Sequence, residues 1–273
     1  MSDELAAPGG AAAPGPILER LHQLSGAVTA GGEFISDAAA ARAKLSLRRA
    51  EERLAVGKEF VVVAIIGGTG SGKSTLFNAL TELSFAQVGQ TRPTTAEVAA
   101  CTWGSSGQAV LDLLGVPRHR RTRYDTPLNA GSHTLDGLVL LDMPDYDSVI
   151  GAHRQQVENL SELIDGAIWV WDPEKYQESA AFDYLVAPLR ERGVLTIVMN
   201  QTDTIAPEKM ADFEAKVRSE LAARGYEQVP LIFAAAKRRE GLDPIRDFLA
   251  AAVKQPDLAS GTVLALLDKV ALL

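Results

Sequence analysis

One glycine-rich stretch of the chain has the side chains and the backbone freedom needed to hold an anion. It reads Gly67-Gly68-Thr69-Gly70-Ser71-Gly72-Lys73-Ser74, which fits the G-x-x-x-x-G-K-[ST] pattern of a phosphate-binding loop. Glycines let such a loop curl so that successive backbone N–H groups point at one anion. Lys73 would contact the terminal phosphates, and the Ser74 hydroxyl would bind Mg²⁺. The pattern therefore predicts a site for a nucleoside triphosphate.

The residues on either side of this stretch supply the secondary structure that the loop requires. An apolar, β-branched run at 60–66 precedes it, and a helix-competent run at 75–80 follows it. A helix that begins at the loop would add its positive dipole end to the anion site. The residues expected to contact the nucleotide here are Gly68, Thr69, Gly70, Ser71, Gly72, Lys73, Ser74 and Thr75.

A site of this kind also needs a second ligand for Mg²⁺ at the end of a neighbouring strand. Asp142 fits this role because it directly follows the apolar run 138–141. A hydroxyl that can close over the γ-phosphate is supplied by Thr95 or Thr94, in a stretch with loop composition. The expected metal ligands are Ser74, Thr95 and Asp142, and the expected catalytic residues are Lys73, Thr95 and Asp142.

The base-binding part of the site is predicted from two polar segments that each follow a strand. Asn200-Gln201-Thr202-Asp203 comes directly after the buried strand 194–199. A carboxylate at Asp203 can accept both the N1–H and the N2–H₂ of guanine, a pair of bonds that adenine cannot form. After the next strand, the backbone N–H groups of Ala235-Ala236-Lys237 could bind guanine O6. The predicted base site is therefore Asn200, Gln201, Asp203, Ala236 and Lys237, with GTP or GDP as the ligand.

Strands and helices alternate along the chain from the strand at 138–141 onward. Because the strands are continuous apolar runs, they predict a parallel sheet covered on both faces. The expected fold class is α/β, a three-layer P-loop NTPase fold with a mostly parallel central sheet, helices on both faces and an N-terminal helical extension. Ligands in such sheets bind at the carboxyl ends of the strands, where all the predicted site residues lie.

The composition of successive segments predicts how the chain is divided. Residues 1–16, rich in Ala, Pro and Gly, are expected to be a disordered tail, and 17–57 to form the helical extension. Residues 58–255 are expected to form the nucleotide-binding domain, which contains an insertion at 104–136. The remainder, 256–273, is a tail or the start of a further region, because it ends within an apolar pattern. In the insertion, the basic cluster 118–123 is interpreted as a solvated loop rather than a phosphate-binding patch.

With these motifs in place, residues 58–255 resemble the P-loop GTPases of the translation-factor class. The segment Arg92-Pro93-Thr94-Thr95 looks like the switch threonine region of both Era-like and bacterial dynamin-like GTPases. The third motif of that class appears as Asp142-Met143-Pro144-Asp145, and the fourth as 200–203. The phrases at 141–148 and 171–176 resemble a group of actinobacterial GTPases that often continue into a C-terminal membrane region. The resemblance implies a G domain that acts as a nucleotide-dependent switch.

Three departures from the family pattern bear on affinity and rate. Asp145 replaces a glycine whose N–H would meet the γ-phosphate, and Gln201 replaces a lysine whose stem packs on the base. Tyr146 occupies the position that often carries a water-positioning glutamine. The resemblance therefore implies weaker guanine binding and slow GTP hydrolysis, accelerated by a homodimer partner, a membrane or another macromolecule.

The net charge of −8 and the pI near 5.1 argue against broad affinity for nucleic acids, and no DNA partner is expected. Cys101 is the single cysteine, and we expect it to be a buried structural thiol. The expected location of the protein is the cytoplasm or the inner face of the cell membrane. Three alternatives to a soluble GTPase switch stay open. They are an ATPase, a dynamin-like membrane GTPase within a longer chain, and a nucleotide-gated module that binds RNA or ribosomes.

Overall fold

The computed structural model describes residues 15–82, 97–104, 107–124, 135–144, 160–177, 186–187, 189–190, 194–255 and 257–273. These residues form two compact units. The first comprises the described residues up to Glu51 together with Val263–Leu273, and the second comprises Glu52–Thr262.

The first unit is helical. It contains α1 (Pro16–Gly31), a short 3₁₀ turn (Gly32–Phe34), most of α2 (Asp37–Ala55) and most of α7 (Leu258–Ala271). Proline at the first position of α1 is pre-organised for a helix, and Gly32, with φ of 36°, ends it. None of the described helices has both the length and the apolar character needed to cross a bilayer.

The second unit is built on a seven-stranded sheet. Its strands are β1 (Val61–Gly67), β2 (Ala99–Trp103), β3 (Arg121–Tyr124), β4 (Leu138–Asp142), β5 (Gly166–Trp171), β6 (Leu195–Met199) and β7 (Leu231–Phe233). The strand order is β3-β2-β4-β1-β5-β6-β7, and every neighbouring pair is parallel except β2 with β4. All residues of β1, β2, β4, β5 and β6 are buried. Both faces of the sheet are therefore covered, which confirms the predicted α/β class with a mostly parallel sheet.

The central strand β1 pairs in parallel with β4 on one side and with β5 on the other. The chain runs from β1 through β2, β3 and β4 on one side of β1 and then crosses to β5 on the other side. This change of direction beside β1 creates the crevice where α/β proteins bind ligands. The carboxyl ends of these three strands, at Gly67, Asp142 and Trp171, lie side by side. This is the edge at which the sequence places its motifs.

The described helices of the second unit lie between the strands along the chain, except the last, which follows β7. They are α3 (Lys73–Thr81), α4 (Gln108–Leu113), α5 (Met210–Ala223) and α6 (Asp243–Val253). Short 3₁₀ turns occur at Arg118–Arg120, Thr202–Thr204, Pro207–Lys209 and Ala236–Arg238. The sequence also predicts helices over 157–164 and 179–192. Residues 157–159 of the first and all but 186–187 and 189–190 of the second lie outside the described residues.

The sequence suggested that the basic cluster 118–123 in the insertion is a solvated loop, but the structure shows otherwise. Its second half forms strand β3, which pairs in parallel with β2 at the edge of the sheet. Arg120 is buried, and Arg121 forms an ion pair of 2.6 Å with Asp112 and donates to the carbonyl oxygen of Val116. His119 lies 2.9 Å from a carboxylate oxygen of Glu97. Much of the cluster therefore holds the insertion together.

Cys101 lies in the middle of β2 and is fully buried. Burial raises the pKa of its thiol to about 12, and a backbone hydrogen bond from Tyr124 offsets only part of that effect. The thiol therefore stays protonated and unreactive at neutral pH. This agrees with the structural role expected from the sequence.

A buried ion pair lies at the end of the sheet opposite the predicted site. Asp165, just before β5, accepts hydrogen bonds from Arg53 Nη2 at 2.7 Å and from the backbone N–H of Val62 at 2.8 Å. Its other oxygen accepts a hydrogen bond from the Thr262 hydroxyl. Arg53 also donates to the carbonyl oxygen of Phe60 at 2.8 Å. One buried carboxylate therefore joins the end of α2, the start of β1 and the first turns of α7.

We expect Asp165→Asn to destabilise the protein strongly. The variant leaves the Arg53 guanidinium buried without its counter-charge, which typically costs about 3–5 kcal/mol of unfolding free energy. Urea unfolding of both proteins measures the difference. Asp268→Asn is the matched control, because Asp268 pairs with Arg20 at 2.6 Å on the surface. Loss of this surface ion pair should lower the free energy of unfolding by less than about 1 kcal/mol. Equal effects of the two changes would contradict a dominant role for the buried pair.

Candidate functional site

The loop between β1 and α3 is shaped by glycines at points where neighbouring segments come very close. Gly67 has φ of 153°, and a Cβ there would lie 2.4 Å from the carbonyl oxygen of Val170. Gly72 has φ of 87°, and a Cβ there would lie 2.3 Å from Asn200 Nδ2. Only glycine combines these backbone angles with these contacts. The loop is therefore fitted closely against the ends of β5 and β6.

The first residues of α3 bring a cation and a hydroxyl to this loop. Lys73 is only 4% exposed, and its Nζ donates to the carbonyl oxygen of Gly68 at 3.0 Å. The Ser71 hydroxyl donates to the same carbonyl oxygen at 2.9 Å. Lys73 thus folds back over the loop, so that its charge and the amino-terminal end of α3 act on the same volume. Both favour an anion there.

Ser74 and Asp142 form a pair of oxygen donors beside the loop. The Ser74 hydroxyl donates to Asp142 Oδ2 at 2.6 Å, and Asp142 is fully buried at the end of β4. Hydroxyl and carboxylate oxygens are the hard ligands that Mg²⁺ prefers, usually with water and phosphate oxygens completing its shell. Within the described part of the chain, no group of three or more His, Cys, Asp or Glu side chains could hold a metal by itself. The pair therefore fits a cation that arrives with a phosphate ligand.

Asn200 joins three segments of the site through one buried side chain. Its exposed fraction is 2%. The amide Nδ2 donates to the carbonyl oxygen of Ser71 at 3.0 Å, and Oδ1 accepts from the backbone N–H of Ala236 at 3.0 Å. Its own backbone N–H donates to the carbonyl oxygen of Trp171 at 2.8 Å. The phosphate-binding loop, the end of β5 and the turn after β7 are all fixed to this residue.

Gln201 contacts the phosphate-binding loop directly. It has a left-handed backbone with φ of 59°, which is uncommon for a residue with a side chain. Its Nε2 donates to the carbonyl oxygen of Gly70 at 2.6 Å. The sequence pointed only to the loss of the family's lysine at this position. The amide that replaces it forms a second bond between the two loops.

A cavity of about 350 Å³ opens between these loops. Its size is in the range of small-molecule sites. The lining residues are Gly72, Thr75, Asn200, Gln201, Asp203, Thr204, Ala236 and Lys237. The structure therefore brings together all the residues predicted to bind the base, along with two predicted to bind phosphate. Thr204 was not predicted.

A contact between Arg238 and Asp203 was also not predicted from the sequence. Arg238 Nε lies 3.2 Å from Asp203 Oδ2, while the side chain of Asp203 is 18% exposed. Arg238 directly follows Lys237, the last residue of the predicted base site. A search for charged residues next to that motif could have found it.

Some predicted residues lie outside the part of the chain that the structure describes. Thr94 and Thr95 fall in the gap at 83–96, and Asp145 and Tyr146 in the gap at 145–159. The expected metal-binding and catalytic roles of Thr95 therefore stay predictions.

Comparison with known proteins adds to this geometry. Residues 62–201 match the model of a family described as 50S ribosome-binding GTPase. A curated relative, GTPase Der of Sulfurihydrogenibium sp. (strain YO3AOP1), is 26% identical over 190 residues. That alignment covers 69% of this chain and 37% of the relative, so the chain spans little more than a third of that protein. The family match includes the phosphate-binding loop, Asp142 and Asn200, and ends before Asp203.

Two solved structures align with this chain. An oligomerised bacterial dynamin pair, described with the sensing and tethering of membranes, aligns with a TM-score of 0.52 and 15% identity. It covers 94% of this chain, which covers 46% of it. Era in complex with MgGDPNP and part of 16S ribosomal RNA aligns with a TM-score of 0.47 and 16% identity, over 70% of this chain and 56% of that one. At such identities the dynamin likeness indicates the fold alone.

We expect Asn200→Ala to destabilise the protein by about 2–6 kcal/mol. The change leaves two buried backbone groups, on Ser71 and Ala236, without their partner, and each such loss costs about 1–3 kcal/mol. Chemical denaturation measures it. Gln201→Ala is the control, since it removes one hydrogen bond at an exposed position and should cost no more than about 1.5 kcal/mol. If both variants lost the same stability, Asn200 would not be the main tie between the loops.

Proposed function

The chain belongs to the 50S ribosome-binding GTPase family, and we propose that it hydrolyses GTP to GDP and works as a nucleotide-dependent switch. Membership confirms the predicted resemblance to P-loop GTPases and favours GTPase over ATPase activity. The observation that carries the proposal is the position of Asp203. Its carboxylate lines the cavity on a segment that Asn200 fixes to the phosphate-binding loop.

Guanine recognition is assigned to the loops after β6 and β7. The Asp203 carboxylate accepts from N1–H and N2–H₂ of guanine, while adenine offers no such pair of donors. Ala236 and Lys237 line the same cavity. Because the backbone N–H of Ala236 is bound to Asn200 Oδ1, the backbone N–H of Lys237 is the proposed donor to guanine O6. Because the family match ends at residue 201, this assignment rests on Asp203 and its surroundings. Asn200 and Gln201 hold the base site against the phosphate site.

Phosphate binding is assigned to Gly68–Thr75. The loop presents backbone N–H groups and the amino-terminal end of α3, and Lys73 supplies the charge that meets the β and γ phosphates. Lys73 is already enclosed by the loop, so little rearrangement is needed when the anion binds.

Mg²⁺ would be held by Ser74 and Asp142, joined by Thr95, and would neutralise charge on the β and γ phosphates. The hydrogen bond from Ser74 to Asp142 orients both oxygens before any ligand arrives. Lys73 stabilises the charge that develops on the transferred phosphoryl group. Thr95 and Asp142 complete the proposed catalytic set.

The partner that accelerates hydrolysis is part of the proposal. The candidates are a second copy of this chain, a membrane, and RNA or the ribosome, with the protein in the cytoplasm or at the inner face of the cell membrane. Era was solved with part of 16S ribosomal RNA, and the bacterial dynamin pair is described with the sensing and tethering of membranes. In the described insertion, His119 and Arg121 already face Glu97 and Asp112, which leaves fewer cations for RNA. We propose 58–255 as the G domain, preceded by the helical extension 17–57 and followed by 256–273 as a tail or the start of a further region.

Asp203→Asn should exchange the base preference. The new amide can donate to the C2 oxygen of xanthine but keeps only one acceptor oxygen for the two N–H groups of guanine, so the variant should bind xanthosine diphosphate better than GDP. Calorimetry with GDP, XDP and ADP measures this. Lys73→Ala is the control: it should weaken GDP and XDP alike, by about 2 kcal/mol, because it removes a charge-assisted phosphate contact. Unchanged GDP binding in Asp203→Asn would refute guanine recognition by this carboxylate.

Hydrolysis by the isolated chain should be slow, with turnover well below ~1 s⁻¹, because a supplied stabilising group typically contributes about 10³–10⁵ in rate. Phosphate release from GTP is measured at rising protein concentration, and then with anionic liposomes or with ribosomes. Higher turnover per molecule in one of these series identifies the partner. Lys73→Ala gives the background rate. Fast turnover that none of the additions changes would show that one chain contains the complete site.

A further inference from the structure

Two consecutive arginines follow the base-binding turn, and they point to different partners. Arg239 lies 3.6 Å from Glu82 and 3.5 Å from the carbonyl oxygen of Ala79, at the end of α3. Arg238 instead lies 3.2 Å, through Nε, from Oδ2 of Asp203. One of the two arginines is thus directed at the carboxylate assigned to guanine recognition.

We propose that Arg238 is a specificity-determining positioning residue that fixes the orientation of the Asp203 carboxylate for guanine. The inference rests on the proposed function, since it assumes that Asp203 accepts from guanine. It adds to that function a residue outside the cavity lining, which sets how well guanine is distinguished from bases that lack the 2-amino group.

The carboxylate has enough acceptor capacity for both partners. Each carboxylate oxygen carries two lone pairs, and guanine takes one on each oxygen. The ion pair with Arg238 is at Oδ2, so even if its Nε–H takes one lone pair there, a second lone pair on Oδ2 and those on Oδ1 serve guanine. The arginine therefore binds beside the base and does not have to leave when guanine enters.

Arg238 restricts rotation about the last side-chain bond of Asp203. The terminal torsion of an aspartate has broad wells, so a carboxylate without a fixed partner samples many planes. Guanine needs both carboxylate oxygens in one plane, whereas hypoxanthine bonds to one oxygen and tolerates many planes. A cation held beside Oδ2 limits where that oxygen can lie and so narrows the range of planes. Fixing the plane should therefore favour guanine over hypoxanthine, which lacks the 2-amino group.

The backbone holds Arg238 and Asp203 at a defined separation. The backbone N–H of Arg238 donates to the carbonyl oxygen of Ala235 at 2.9 Å. The adjoining Ala236 is bound to Asn200 Oδ1. On the other segment, the hydroxyl and the N–H of Thr202 both donate to the carbonyl oxygen of Ala234, at 3.0 and 3.1 Å. The pair therefore sits between two segments that are already tied together.

The experiment is calorimetry of the full chain with GDP, ADP and inosine diphosphate (IDP), whose base is hypoxanthine. It is done for the wild type and for Arg238→Ala. The side chain of Arg238 is 58% exposed, and pairs of this kind have effects of up to about fivefold. We expect Arg238→Ala to weaken GDP binding about threefold to fivefold and IDP binding less than twofold. The ratio of GDP to IDP affinity should fall accordingly. A loss of folded protein cannot produce this change, because both affinities come from one preparation.

Arg218→Ala is the matched control. Arg218 pairs with Glu214 at 2.7 Å on α5 and is 57% exposed, so the same charge is removed away from the cavity, and the ratio should not change. An unchanged ratio in Arg238→Ala, or tighter GDP binding, would overturn the positioning role while guanine preference over ADP stayed intact. A wild type that binds GDP no better than ADP would instead overturn the proposed function, and this inference with it.

Discussion

The amide of Asn200 is the contact on which the rest of the site depends. Its nitrogen and its oxygen are both engaged, one with the phosphate-binding loop and one with the turn after β7. A buried amide that satisfies two backbone groups also excludes alternative loop positions, since any shift leaves a polar group unpaired. Gly72 is required by the same contact, because a Cβ there would collide with Asn200 Nδ2. The other bonds between the loops, such as Gln201 to Gly70, join segments that Asn200 has already fixed.

The sheet holds the loops of the site in place because its central strands are fixed by hydrogen bonds at both ends. At one end, Asp165 accepts from the backbone N–H of Val62 and from Arg53, next to the starts of β1 and β5. At the other end, the carbonyl oxygen of Trp171 accepts from the backbone N–H of Asn200. Parallel strands with continuous apolar sequences have little freedom to slip between two such fixed points. The loops that carry the chemistry therefore start from rigid positions.

Much of this could be predicted from sequence because the signals are local. Apolar runs indicated the buried strands, and fixed spacing indicated the residues of the phosphate-binding loop. Strand β3 was missed because Arg121-Thr122-Arg123-Tyr124 has no apolar run, and its edge position asks for none. The contact of Arg238 with Asp203 was missed for a different reason: it joins two loops that only the order of β6 and β7 brings together. Local patterns carry no information about such pairs.

The uncharged residue at 201 and the arginine at 238 can be understood together. A lysine at position 201 would bring a cation to the loop that carries Asp203, whereas Gln201 makes its bond to Gly70 without any charge. The cation that faces the carboxylate comes instead from Arg238, on the turn after β7. A guanidinium on that side can stay exposed to water, so pairing it carries a smaller desolvation cost than burying an ammonium inside the site. The base site thus keeps a paired carboxylate, while the positive charge inside the phosphate-binding loop is carried by Lys73 and the amino-terminal end of α3.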